Sequence, residues 1–376
     1  MKLVLISPFP PLRGGISKET ETIYDYFNNN GHEVKVINFK RLYPNFLFPG
    51  KSQYLNNDLY KNDKNIITLL DSVDPFTWRK VSKYIIDNKI NRVIFRYWHP
   101  FFILSYLFII KEIRKNKKNV KIFCICDNIY PHSYFPLSKL LIKYFLNNID
   151  KFFVMSENTY IQIKKYVDHT KIKKIFLPTK ENFGPILEQK FCHKKLNIET
   201  DFTILFFGLI RDYKGLDVLL NSLSHFKKIK DNFNLIIAGE CYSQKKKYLE
   251  LINNNKLQDN IVWDDFYIPD EDVNLYFSAC DIVVLPYKKA SQSGIIPISY
   301  NYNKLVVSSD IAGLREFIIP GDTGYLFNNN CPQSLFEALR KICFEHDFNR
   351  SNKFINKHKK QYTIDKLAND IISFIN

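Results

Sequence analysis

Arg211 and Lys214 carry the sharpest chemical signal in this sequence. They lie in FFGLIRDYKGLD (206–217), where an apolar run stops at Gly208 and a helical pattern begins at Leu216. Arginine supplies bidentate hydrogen bonds and lysine a point charge, and a helix start adds free N–H groups. Together they suit a diphosphate; the competing reading is a solvated loop with two routine cations. Three other strand-to-helix turns offer related chemistry. In PFPPLRGGIS (8–17), Gly14 and Gly15 let the backbone approach a phosphate or a sugar closely. This is neither a GxGxxG nor a Walker loop, and an ordinary tight turn would look the same. Glu240, after Gly239, could accept from ribose hydroxyls, or could simply favour a helix start. In KKASQSGIIP (288–297), Gln292, Ser293 and Gly294 bring amides and hydroxyls to another helix start, where a serine would also serve as a plain cap.

Other reactions lack their residues. No pair of carboxylates stands at glycosidase spacing, so glycoside hydrolysis is not supported. Asp264 and Asp265 follow a strand without a third acidic partner, so no metal and no cofactor are expected. Seven cysteines, an odd number, sit mostly in apolar runs. Cys124 and Cys126 would share one face of a strand and lack the CxxC spacing. A reduced, cytoplasmic setting follows. His132, Asp127 and His99 lie close to strand ends, where acid–base work and plain packing compete as readings.

The elements that would position these residues repeat one rhythm. LVLIS (3–7), EVKVINF (33–39), RVIFRYW (92–98), KIFCIC (121–126) and KFFVMS (151–156) read as strands alternating with helical stretches. Residues 180–201 lose the alternation. It restarts with FTILFFG (202–208), NLIIAGE (234–240), NIVWDDF (260–266), DIVVLPY (281–287) and KLVVSSD (304–310). Strand, helix, strand at this pace means parallel, doubly wound α/β sheets, which bind ligands at the carboxyl ends of their strands. The 376 residues divide into a first Rossmann-like domain (1–183), a linker (184–201), a second Rossmann-like domain (202–350) and a helical tail (351–376) expected to return to the first domain.

The net charge is +16, from 54 basic against 38 acidic residues. Much of it follows from a general richness in lysine. No nucleic-acid motif accompanies it, so nucleic acid is not an expected partner. No apolar run reaches the roughly 18 residues that a spanning helix needs. The run after Met1 and Lys2 is too short for a signal peptide and reads as a buried strand. Two segments instead suit peripheral attachment to the inner face of a cytoplasmic membrane. FFILSYLFIIKEIRKNKK (101–118) joins an apolar helix to a basic end. PLSKLLIKYFLNN (136–148) puts Leu137, Leu140, Leu141, Tyr144 and Phe145 on one face, with Lys139 and Lys143 beside it.

Taken in order, Gly208 to Gly215, AGE (238–240), Asp281 to Tyr287, QSG (292–294), KLVVSSD–IAGLREF (304–317) and GDTGYLF (321–327) resemble the donor half of the retaining family 4 glycosyltransferases, the group 1 type with the GT-B fold. RGGIS, FKRLYPNFLFPGKSQY (39–54), YWHPFF (97–102) and DNIYPH (127–132) extend the resemblance over nearly the whole chain. It implies two Rossmann-like domains facing across a cleft. It also implies transfer from a nucleotide sugar to a saccharide or lipid-linked acceptor, as in surface polysaccharide synthesis. Arg211 and Lys214 would hold the donor diphosphate. Gly14 and Gly15 would approach the transferred sugar, Gln292, Ser293 and Gly294 would lie beneath the diphosphate, and Glu316 matches a glutamate common after the GGL-type turn.

Two departures stand out. Many members carry two glutamates eight positions apart. Here those positions hold Ala290 and Ile298, or Ser291 and Ser299 in the other register. Where a histidine is frequent, this chain has Asp127, for which Asp127 or His132 would have to serve. A non-catalytic partner in a polysaccharide assembly complex, and an epimerase or sugar-nucleotide phosphorylase sharing the donor site, are the alternative readings.

Overall fold

A computed structural model describes residues 2–44, 53–55, 60–117, 119–130, 138–176, 178 and 183–376. The chain forms two compact units, Met1–Leu177 with Ile364–Asn376, and Pro178–Thr363.

In the first unit the order is β1 (Lys2–Ile6), α1 (Gly15–Asn29), β2 (Glu33–Arg41), β3 (Ile66–Asp71), α2 (Pro75–Asp87), β4 (Arg92–Tyr97), α3 (Ile103–Asn116), β5 (Lys121–Cys126), α4 (Ser138–Leu146), β6 (Lys151–Val154), α5 (Glu157–Ile163) and β7 (Ile172–Lys174). The seven strands are all parallel, in the order β3-β2-β1-β4-β5-β6-β7. The reversal beside β1 is the topological switch point of a doubly wound sheet. Strands such as β1 and β5 are apolar almost throughout because helices cover both faces. One face packs on α2, α3 and α4 through Val81, Ile109 and Phe145.

The second unit runs α6 (Gln189–Leu196), β8 (Thr203–Phe207), α7 (Leu216–Phe226), β9 (Asn234–Ala238), α8 (Lys245–Asn254), β10 (Ile261–Asp264), α9 (Val273–Ala279), β11 (Ile282–Leu285), α10 (Ile295–Asn301), β12 (Leu305–Ser309), α11 (Ala312–Arg315), β13 (Gly324–Phe327), α12 (Pro332–Glu345) and α13 (Phe348–His358). Its six strands are parallel in the order β10-β9-β8-β11-β12-β13. The expected pair of doubly wound α/β sheets is therefore present.

The chain then enters α14 (Ile364–Ile375), which rejoins the first unit on the sheet face covered by α1. Leu367, Ala368, Ile371 and Ile375 bury among Leu3, Ile23 and Phe27. Lys151 Nζ donates to the Phe374 carbonyl at 2.7 Å.

Two boundaries and one helix face differ from the sequence reading. The segment taken as a linker, 184–201, is built into the second unit and holds α6. Gln189 Nε2 donates to Asp281 Oδ1 at 3.0 Å, and the Leu187 N–H donates to Ser278 Oγ at 3.0 Å. Of the tail 351–376, only the part from Ile364 returns to the first unit, because His358 holds α13 on the second, against Tyr300 and the Phe317 carbonyl. On α4 the five apolar residues do not share one exposed face. Phe145 is fully buried and Leu141 is partly buried against the core, while Leu140 and Tyr144 point outward; Leu137 lies outside the described residues.

Candidate functional site

The turn from β8 into α7 builds the site of the second unit. Gly208 leaves the strand at φ +93°, and a Cβ there would stand 3.0 Å from Lys214 Nζ. A short 3-10 turn, Asp212–Lys214, follows. Gly215 then closes the turn at φ +70°, where a Cβ would fall 1.9 Å from the Pro286 carbonyl oxygen. No other residue type fits that contact, which locks the β8–α7 turn onto the loop after β11. The Lys288 N–H donates to the Tyr213 carbonyl at 2.7 Å and tightens the same junction.

This packing buries Lys214. Only 9% of its surface is exposed, and its ammonium makes no hydrogen bond or ion pair with any described residue. Its ammonium lies 5.3 Å from the centre of the Tyr287 ring. Burial, with the Arg211 charge nearby, lowers its pKa to about 8. Buried lysines are ordinarily paired. A buried cation facing a ring and a glycine is arranged to receive an anion. Arg211 stands beside it, half-buried, with its guanidinium 5.5 Å from the Tyr242 ring centre.

The QSG turn meets the same place. Ser293 is buried and its hydroxyl lies 3.5 Å from the Tyr287 hydroxyl. The Ile295 N–H donates to Ser293 Oγ at 3.3 Å, and Gly294 caps α10. Gln292 flanks the turn, half-buried. Glu240 is buried after β9, and its carbonyl accepts from the Ile210 N–H at 2.9 Å. Gly208, Arg211, Lys214, Glu240 and the QSG turn thus gather on the loops after β8, β9 and β11. Glu316 ends α11, where Gly313 packs against the Ala290 and Ser291 carbonyls. Its charge bears on Tyr362, whose phenol is pushed up to about 12 mainly by burial. Sequence reading missed Tyr287 and Tyr242, the rings facing the two cations. The tyrosine that ends DIVVLPY was the available signal for the first.

Asp264 and Asp265 are engaged separately. Asp264 accepts from the Tyr276 hydroxyl at 2.7 Å, and Asp265 from the Cys241 N–H at 2.7 Å and Lys245 at 2.8 Å.

In the first unit Gly14 precedes α1 at φ +121° and Gly15 is its first residue. Asn38 shapes the approach, accepting from the Phe9 N–H at 2.9 Å and donating to the Phe9 carbonyl at 3.0 Å. Asp127 is buried, and Arg96 donates to both its oxygens at 2.7 and 2.6 Å. Arg96 also donates to Glu19 of α1. Asp127, read as a candidate acid–base residue, lies in a buried ion cluster with Arg96 and Glu19. His99 caps the turn before α3, its Nδ1 accepting from the Phe101 N–H at 3.2 Å. His132 lies outside the described residues.

Residues 188–361 match the family described as "Glycosyl transferases group 1". The lipopolysaccharide 1,2-N-acetylglucosaminetransferase of Salmonella typhimurium is 26% identical over 179 residues, 46% of this chain and 45% of that protein. The GDP-mannose:glycolipid 4-beta-D-mannosyltransferase of Xanthomonas campestris pv. campestris is 30% identical over 123 residues, 31% of this chain and 34% of that protein. The chain thus spans less than half the length of either relative it matches. The crystal structure of Anabaena Alr3699/HepE in complex with UDP aligns with 100% of this chain and 99% of that one, at 12% identity and a TM-score of 0.79. That likeness bears on the fold.

Proposed function

We propose, from the match of residues 188–361 to the group 1 glycosyl transferases, that the protein moves a sugar from a nucleoside-diphosphate sugar to a saccharide or lipid-linked saccharide acceptor in surface glycan synthesis. The observation that carries this reading is Lys214, a buried cation with no hydrogen-bond or ion-pair partner for its ammonium among the described residues, at a loop that also presents Arg211. The names of the Salmonella and Xanthomonas relatives support the acceptor class.

When the glycosidic bond breaks, the departing nucleoside diphosphate gains negative charge. Lys214 and Arg211 would stabilise that charge, and their contribution grows as the bond lengthens. The backbone around Gly294 and the Ser293 hydroxyl would hold the phosphates from the other side. Transfer with retention of anomeric configuration, and without a divalent metal, completes the proposal. The acidic pair Asp264–Asp265 is committed to Tyr276, Cys241 and Lys245. Activity should therefore persist in EDTA, and a loss restored by manganese or magnesium would reject the metal-free step.

Calorimetric titration with UDP, GDP and ADP, followed by transfer from the matching nucleotide sugars, tests the whole reading. Absence of binding by every nucleoside diphosphate would overturn it. One observation favours a second reading, a non-catalytic assembly partner. Neither Ala290 and Ile298 nor Ser291 and Ser299 supplies a carboxylate beside the diphosphate turn. Tight nucleotide binding without transfer to any glycan acceptor would select that alternative.

A further inference from the structure

We propose that the outer face of α2, α3 and α4 in the first unit docks on an anionic lipid surface. Four large apolar side chains stand out from this helix layer: Phe76 is 80% exposed, Leu104 59%, Leu140 69% and Tyr144 62%. Phe76 and Leu104 are the second residues of α2 and α3, and Leu140 is the third of α4. Each helix runs opposite to the strand it leads into, and all the strands are parallel. The three helix starts therefore line up along the carboxyl edge of the sheet, the edge at which such folds bind ligands. The helices are neighbours, α3 packing between α2 and α4.

Around this row the charge is mostly basic, Asp74 at the start of α2 being the acid beside Phe76. Arg79, Lys80 and Lys83 project from α2, Lys111 and Lys115 from α3, and Lys139 and Lys143 from α4, all exposed. None of these seven cations has a hydrogen bond or ion pair with a described residue. Elsewhere in the same unit surface lysines do find acids, as in Lys2–Glu33, Lys18–Glu21 and Lys174–Glu157. On these three helices Asp87 lies at the far end of α2, the same end as Lys115 on α3, and Glu112 is half-buried.

Separate apolar side chains set among unpaired lysines match the headgroup region of a bilayer. The apolar groups enter the boundary of the acyl chains and the amines meet lipid phosphate. A nucleic acid would use the cations and gain nothing from Phe76, Leu104 and Leu140. No helix among the described residues is long and apolar enough to cross a membrane, so attachment by this face would be superficial. On α4 Ile142 and Phe145 face the core, while Leu140 and Tyr144 are exposed in a row beside Lys139 and Lys143.

The test is co-sedimentation of the full chain with phosphatidylcholine vesicles and with phosphatidylcholine–phosphatidylglycerol vesicles. No sugar or nucleotide is present, so failure here leaves the transferase reading standing. Recovery should require the anionic lipid and fall as salt rises. Each lysine near the surface adds about fivefold in affinity, so Lys139→Glu with Lys143→Glu should weaken binding at least about twentyfold. Leu140→Ser with Tyr144→Ser should weaken it at low salt as well, which charge alone would not produce. All four residues are exposed, and unchanged circular dichroism and melting temperature would show that the variants fold. Equal recovery with both vesicle types, no recovery with either, or full recovery of both double variants would overturn the proposal.

Discussion

Lys214 is uncharged more easily than an ordinary lysine, and that property can be measured. Its pKa falls to about 8 because burial disfavours the ammonium. A bound diphosphate favours the ammonium and raises the value again. Nucleoside-diphosphate affinity should accordingly hold steady below about pH 8 and decline above it, because binding must then take up a proton. Folding responds with the opposite sign. Between about pH 8 and the ordinary value of 10.5 the unfolded chain holds a proton that the folded one has released, so stability rises with pH. Lys214→Met should remove both trends. It should also raise the melting temperature of the second unit, since an unpaired buried charge is gone, while nucleotide binding drops. Arg211→Ala removes a charge-assisted contact of roughly 1.5–3 kcal/mol and should cost about tenfold to a hundredfold in donor affinity with the fold intact. Titration calorimetry across pH on the three proteins checks these outcomes. A pH-independent affinity in the wild-type chain would remove Lys214 from the site.

At the scale of elements, the site depends on turns that bring strand ends together. Gly215→Ala must move the Pro286 carbonyl or abandon φ +70°. It should separate the β8–α7 turn from the loop after β11 and lower nucleotide affinity as well as stability. In the first unit Arg96 joins β4, β5 and α1 through Asp127 and Glu19. Arg96→Met would strand two buried carboxylates, and a loss of about 3–5 kcal/mol is expected in urea denaturation of the first unit. The strands were legible wherever helices cover both faces, because continuous apolar runs such as TILFF and IVVL follow from that burial. The edge strands of the first sheet were not. In β3 (IITLLD) the first four residues are exposed or half-buried, and β7 (IKK) is short and basic, so neither shows a buried-strand pattern. Helix α6 read as linker because QKFCHKKL is mostly polar; tertiary bonds from Gln189 and His193 to the Ala279 carbonyl hold it in place. The two cations of the site were visible as residue types in a turn. The isolation of Lys214 and the commitment of Asp127 to Arg96 were not, because both depend on neighbours far apart in sequence.

At the scale of the whole molecule, the chain crosses from the first unit to the second and then returns by a single helix. α14 belongs to the unit that begins 363 residues earlier, and it completes a core that the first 177 residues leave open on the α1 face. Leu367, Ile371 and Ile375 are almost fully buried there. Arg92 Nε donates to the Ile375 carbonyl at 3.4 Å, and Lys173 pairs with Asp370 at 3.2 Å. Burying three large aliphatic side chains contributes about 5–9 kcal/mol at about 1.5–3 kcal/mol each. That is comparable with the whole stability of an ordinary domain, about 5–15 kcal/mol. Removing residues 364–376 should therefore unfold or strongly destabilise the first unit alone. The second unit keeps its sheet, its core and Lys214, so its melting should stay near the wild-type value and should still shift upward with nucleoside diphosphate. Differential scanning calorimetry of the full and shortened chains, each with and without UDP and GDP, separates the two transitions. If both transitions fell together in the shortened chain, the stability of the second unit would be coupled to α14, and the return of the chain would serve the whole molecule rather than the first unit.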